Sequence, residues 1–302
     1  MSTVEDVLAH GEFASPLKDG APNAAARKRR DRFMHGALIA AAVITVIPLA
    51  LILFEVIRRG AGAMSWEFLS SVQPFSQRRP GGGYLQGLVG TVYMVGIASI
   101  LAVPLGIGAA TFVVEYKESK LSPLIRFFTD VMTGVPSIFV GLFIYAVLVQ
   151  GKLGFSTLAG GLALCLLMLP IVARSSEEII RLVPEDLRNA AYGLGARRWQ
   201  VVMKVVLPTA SNGLITGSML AVARAAGETA PLLLTALGAF KIVPQLIGKP
   251  QSALPLLIYG EARGPYEAAH ARAWAGSLEL ILLVLVLTII AHTISARANA
   301  RS

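Results

Sequence analysis

Arg224 and Glu228 are the residues of this chain best suited to chemistry, because they stand four apart inside an apolar stretch, 214–240. An isolated charge at the centre of a membrane-crossing helix costs roughly 2.5–3.5 kcal/mol on insertion scales, so two of them need a reason. Four apart on a helix they share a face and can pair. One reading is a buried ion pair that pins helix packing. The other is a polar pathway: an arginine presents five donors in a planar fork that fits an oxyanion. Glu228 would then hold that fork in place or keep the anion from binding too tightly, and Thr229 adds a hydroxyl. Gly227 and Pro231 interrupt the helix here, and backbone groups freed at membrane depth are tolerated where protein buries them or a watery cavity meets them. This chemistry suits anion passage without choosing among phosphate, sulfate and molybdate.

Other chemistries find little support. Ser137 follows Gly134 and Pro136, and His292 lies in the last apolar stretch, but a serine hydrolase also needs a partner for the histidine and oxyanion donors. A serine in such a segment more simply satisfies backbone groups freed by the proline. The one cysteine, Cys165, excludes an intramolecular disulfide, and His10, His35, His270 and His292 show no metal-ligand spacing. No cofactor is expected in this chain. Glu279 is a further acid in an apolar stretch, with packing and pathway roles equally open.

The elements that must position these residues are membrane spans. Of 302 residues 55% are hydrophobic and 15% charged, too apolar for an ordinary soluble domain. Six stretches approach the ~20 apolar residues that cross ~30 Å of hydrocarbon: 34–57, 88–114, 131–150, 153–173, 214–240 and 275–296. The fold class predicted is all-α, a polytopic membrane protein with six transmembrane helices. With a cytoplasmic N-terminus, the greater part of the 27 lysines and arginines falls on the inside, which places both termini and the 174–208 segment in the cytoplasm. The first apolar run exceeds a signal-peptide core, so it reads as a retained anchor behind a flexible basic tail, 1–32. The run from Arg27 to Arg32 reads as a topology determinant, with acidic lipid as its other possible role. The +9 net charge implies no nucleic acid.

Residues 189–208, NAAYGLGARRWQVVMKVVLP, form a polar segment between two spans. Pro184, Glu185 and Asp186 open a short helix with acids at its N-terminus. Gly193 and Gly195 interrupt it, and a second helix from Ala196 to Val206 carries Trp199, Val202, Met203 and Val206 on one face. Such a helix either lies on the membrane interface or docks a partner. Two long segments on the other side, 58–86 and 241–274, are rich in proline and glycine. They read as irregular, serving as a partner surface or as a structural cap.

Asn189, Ala190, Ala191, Gly195, Arg197, Leu207 and Pro208 resemble the cytoplasmic EAA loop of binding-protein-dependent ABC importers, with Asn189 where that family has glutamate. The run Arg224-Ala225-Ala226-Gly227-Glu228-Thr229-Ala230-Pro231-Leu232-Leu233, with Gly134-Val135-Pro136-Ser137-Ile138 and Gly141-Leu142-Phe143, resembles the PstA-type permeases of Pst phosphate importers over about 87–296. The resemblance implies a type I ABC importer permease fold and a domain at 87–296 behind a first helix and outer loop at 33–86, with a cytoplasmic tail at 297–302. It further implies that the 174–208 loop grips a PstB-type ATPase dimer, which binds ATP and Mg. A PstC-type sister permease and a PstS-type phosphate-binding protein complete the implied assembly in the bacterial plasma membrane. Arg224, Glu228, Thr229 and Ser137 are the implied phosphate-pathway residues, and this subunit is expected to hydrolyse nothing.

Overall fold

The computed structural model describes residues 24–299, so expectations for 1–23 and 300–302 lie outside the described residues. The chain divides into units 1–54 and 55–302. In the first, helix α1 (Ala24–Ala63, continuing past the boundary) exposes Leu38, Ile44, Leu49 and Ile52. A helix apolar on every side suits lipid or another membrane helix.

The second unit is helical: α2 (Trp66–Ser70), α3 (Leu85–Glu115), α4 (Leu121–Gly134), α5 (Ser137–Ile144), α6 (Thr157–Arg181), α7 (Glu185–Gly193), α8 (Arg198–Val201), α9 (Leu207–Ala226), α10 (Ala230–Thr235), α11 (Leu254–Ala262) and α12 (Glu267–Asn299). Short π-helical segments, Tyr145–Leu153 and Val202–Val206, extend α5 and join α8 to α9. Five helices are long and apolar enough to cross a membrane, and the bent pair α4–α5 makes a sixth span if counted as one.

Helices α3 and α6 form the centre of this unit. A Cβ on Gly106 would lie 2.8 Å from the Val172 side chain, and one on Gly161 2.9 Å from Ile97, so small residues set the close approach of the two helices. Met94, Ala98, Ala102, Leu164, Met168 and Val172 fill the contact, and Ala221 and Ala225 of α9 close it from one side. Arg126 of α4 donates to the buried Glu177 of α6 at 2.8 Å and fastens the amphipathic α4 alongside.

Two of the apolar stretches are broken, one of them unexpectedly. The stretch 131–150 is not one helix: α4 and α5 meet at 105°. Pro136 has no N–H and pushes Val135 into an extended conformation (ψ 126°), which ends α4. In 214–240 the interruption expected at Gly227 and Pro231 is present: the helix that starts at Arg198 stops at Ala226, and Pro231 lies in the first turn of α10 after a three-residue break. Two other helices outrun their apolar cores, since α6 continues to Arg181 and α12 begins at Glu267.

At the end of the unit where α3 begins, Arg272 of α12 and Glu261 of α11 are both buried and joined by paired 2.8 Å hydrogen bonds. Glu261 also accepts from Gln73 Nε2 at 2.8 Å and Tyr84 Oη at 2.7 Å. Arg272 donates onward to the carbonyls of Gln77 at 3.1 Å and Arg79 at 2.6 Å. One ion pair thereby organises the 71–83 loop, which composition alone makes irregular.

Candidate functional site

Helix α9 carries Arg224 to the last turn before its Gly227 cap, and Glu228 follows in the break. Arg224 Nε lies 3.8 Å from Glu228 Oε1, with the arginine side chain 70% exposed and the glutamate 20%. That separation is beyond a hydrogen bond, so the fork of Arg224 keeps its donors for another acceptor. The break holds its shape through Gly227 N–H to Arg224 O at 3.1 Å and Glu228 N–H to Ala225 O at 3.2 Å. Thr229 caps α10.

Ser137 opens α5 directly after the Pro136 break. One turn on, a Cβ on Gly141 would stand 2.6 Å from Pro231 Cα, so the two interrupted spans touch backbone to backbone through α5 and α10. The structure thus brings together Arg224, Glu228 and Thr229 on one break. Gly141, one turn after Ser137, meets Pro231, and no hydrogen bond links Ser137 to Arg224 or Glu228 among the described residues. Glu279 is buried in α12 with neither carboxylate oxygen bonded among the described residues.

The 185–208 segment sits at the far end of α3. Helix α7 exposes Asn189 and Ala190, turns Ala191 partly inward and buries no residue of its own. It ends where Gly195 takes φ +83°. Gly195 N–H bonds Tyr192 O at 2.9 Å and Ala196 N–H bonds Ala191 O at 3.1 Å, the paired bonds of a Schellman turn, whose left-handed position favours glycine. Arg197 N–H is taken up by the Gln200 side chain at 2.7 Å as α8 starts. The expected face of Trp199, Val202, Met203 and Val206 is split. The π-helical turn adds a residue to the helical period, so Val201, Val202 and Val206 are buried while Trp199 and Met203 face outward with Leu194. Leu207 packs toward that valine cluster and Pro208 lies in the first turn of α9, so both belong to the span more than to the exposed loop.

Sequence reasoning missed the anchorage of this segment. Arg188 of α7 donates to Glu115 Oε1 at the end of α3 at 3.2 Å and to Ile180 O at 2.9 Å, with a further bond to Val183 O. Arg198 stacks 4.3 Å over the Tyr116 ring, and Lys117 lies 4.0 Å from Glu185. Together they line a cavity of about 530 Å³. Arg188 stands in a polar segment where charge is ordinary; the signal in the sequence was Glu115, an acid closing an apolar span.

Residues 102–300 match the model of the family described as binding-protein-dependent transport system inner membrane component. A phosphate transport system permease protein PstA from Haemophilus influenzae is 38% identical over 264 residues, covering 87% of this chain and 93% of that protein. Its counterpart PstA 1 from Mycobacterium tuberculosis is 39% identical over 263 residues, 86% of this chain and 85% of that one. Among solved structures, a chain of a bacterial alginate ABC transporter, in complex with a periplasmic protein carrying alginate pentasaccharide, aligns with TM-score 0.63 at 12% identity over 90% of this chain and 96% of that chain. That likeness bears out the all-α ABC importer permease fold. By its matched residues and its relatives, the chain belongs to the binding-protein-dependent transport system inner membrane components, as a PstA-type, multi-pass membrane permease.

Proposed function

We propose that this chain is the permease subunit of an ATP-driven inorganic phosphate importer, forming half of the translocation pathway. The observation that carries the reading is Arg224: a guanidinium at a helix break, 70% exposed in the single chain and too far from Glu228 to be consumed by it. An arginine serving only to pin packing within the chain would be buried and fully bonded. A planar, permanently charged fork suits a tetrahedral oxyanion, and the nearby acid keeps residence short. Thr229 and Ser137 supply hydroxyls on the two broken spans.

The rest of the assembly follows from the family resemblance. A PstC-type permease supplies the other half of the pathway. A PstS-type binding protein delivers phosphate to the 58–86 and 241–274 side, which faces outward with both termini cytoplasmic. A PstB-type ATPase dimer binds ATP and Mg and receives the exposed surface of Asn189, Ala190, Gly195, Arg197, Trp199 and Met203, with Ala191, Leu207 and Pro208 shaping it from beneath. This subunit binds no nucleotide and catalyses no reaction. Labelled-phosphate uptake into proteoliposomes holding all four components tests it. Uptake that requires ATP inside and resists excess sulfate or molybdate supports phosphate; competition by sulfate reassigns the anion, and uptake driven by a proton gradient without ATP overturns the ABC mechanism.

A further inference from the structure

Three consecutive residues at the end of α3 each hold a different residue of the 185–198 segment. Glu115 pairs with Arg188, Tyr116 lies under Arg198, and Lys117 approaches Glu185. These contacts are unequal. Lys117 and Glu185 are both largely exposed and 4.0 Å apart, an arrangement worth little. Glu115 and Arg188 are 6% and 12% exposed, so removing either leaves a charge poorly solvated and unpaired.

Helix α7 needs such a hold. None of its residues is fully buried and Ala191 alone packs against the valine cluster, so apolar packing holds it only weakly. The stronger hold is Arg188, whose single guanidinium reaches the end of α3 through Glu115 and the end of α6 through the Ile180 and Val183 carbonyls. Those two helices are the closely packed pair at the centre of the unit, locked where Gly106 meets Val172 and Gly161 meets Ile97. A displacement of α7 therefore has a short, stiff route into them.

We infer that the Arg188–Glu115 contact, seconded by Arg198 on Tyr116, is the linkage that passes movement of the docked ATPase from α7 into α3 and α6. Arg188 is a positioning residue here: it acts through Glu115 and two carbonyls, and touches neither phosphate nor nucleotide. The inference rests on the proposed docking role of the 185–208 segment.

The test uses the complete importer in proteoliposomes with phosphate-loaded binding protein, comparing Arg188→Gln, Glu115→Gln, the double variant and Arg188→Lys. Phosphate uptake, ATP hydrolysis and ATPase co-purification are measured together. Both glutamine variants should still carry the ATPase, while phosphate moved per ATP hydrolysed falls about tenfold, within the range of coupling between distant sites. The double variant should be no worse than the poorer single one, because residues acting as one unit are not additive. Arg188→Lys, which keeps the charge but not the fork, should recover part of the loss. Losses that multiply in the double variant, or a normal Glu115→Gln beside a defective Arg188→Gln, would overturn the linkage. So would loss of ATPase co-purification in both single variants, which would make the contact a requirement for assembly. Failure of the unaltered chain to hold the ATPase is a separate result, and defeats the docking assignment itself.

Discussion

Arg272 and Glu261 are the most deeply buried charges among the described residues, 4% and 0% exposed, and every donor and acceptor contact between them is short. Breaking a buried pair by removing one partner typically destabilises by about 3–5 kcal/mol. Arg272→Met should therefore lower the Tm of the purified permease and free the 71–83 loop for proteolysis; an unchanged Tm would contradict this. Tyr84 adds a pH dependence to the same cluster. Burial, with the Glu261 carboxylate adding to it, pushes the Tyr84 phenol above its ordinary value. A group whose pKa rises on folding contributes stability that is complete below its unfolded pKa, about 10 for tyrosine, and that is lost as pH climbs beyond it. Tyr84→Phe should show a shallower alkaline fall in Tm than the parent, and equal slopes would remove Tyr84 as the cause. Arg224 and Glu228 were legible in the sequence because a charge inside an apolar run is anomalous. Arg272, Glu261 and Arg188 were not, since a charge in a polar segment is ordinary until the fold buries it.

Element breaks do what continuous spans cannot, and they also limit what hydropathy reveals. An apolar window reports where the chain is greasy, not where it turns, so 131–150 reads as one span although Pro136 divides it, whereas Gly227 and Pro231 already marked the interruption of 214–240. The glycine and proline positions were visible; their consequence, the packing of α5 on α10 at Gly141 and Pro231, depends on residues ninety apart and was not. Gly141→Val would drive a side chain into the Pro231 backbone, so transport should fall at least tenfold with the protein still inserted, a loss of about 1.4 kcal/mol or more in the productive state. Wild-type uptake in that variant would show that the α5–α10 contact is dispensable. The Gly195 turn was read correctly as an interruption, and its geometry refines the expectation. Space around Gly195 is open, so a side chain is opposed only by the left-handed backbone, at roughly 1–2 kcal/mol. Gly195→Asn should retain the ATPase in co-purification while Gly195→Val loses much of it. Equal behaviour would separate docking from this turn.

At the scale of the whole molecule, the chain reads as part of a larger assembly. Ile100, Phe127, Leu220 and Leu285 are exposed on the long helices of the second unit, a surface suited to lipid or to a sister subunit. Arg224 is also largely exposed in the single chain. Class and most span positions were accessible from composition because bilayer thickness is a local constraint. The anchorage of α7 on α3 was not, because it joins residues 115 and 188 across the fold. The decisive measurement is labelled-phosphate uptake by the complete four-component system carrying Arg224→Gln, with ATPase co-purification as the assembly control. Uptake should drop to background in a normally assembled complex, while parental uptake remains indifferent to excess sulfate. Parental rates of phosphate uptake in an assembled Arg224→Gln complex would show that the pathway does not run through Arg224.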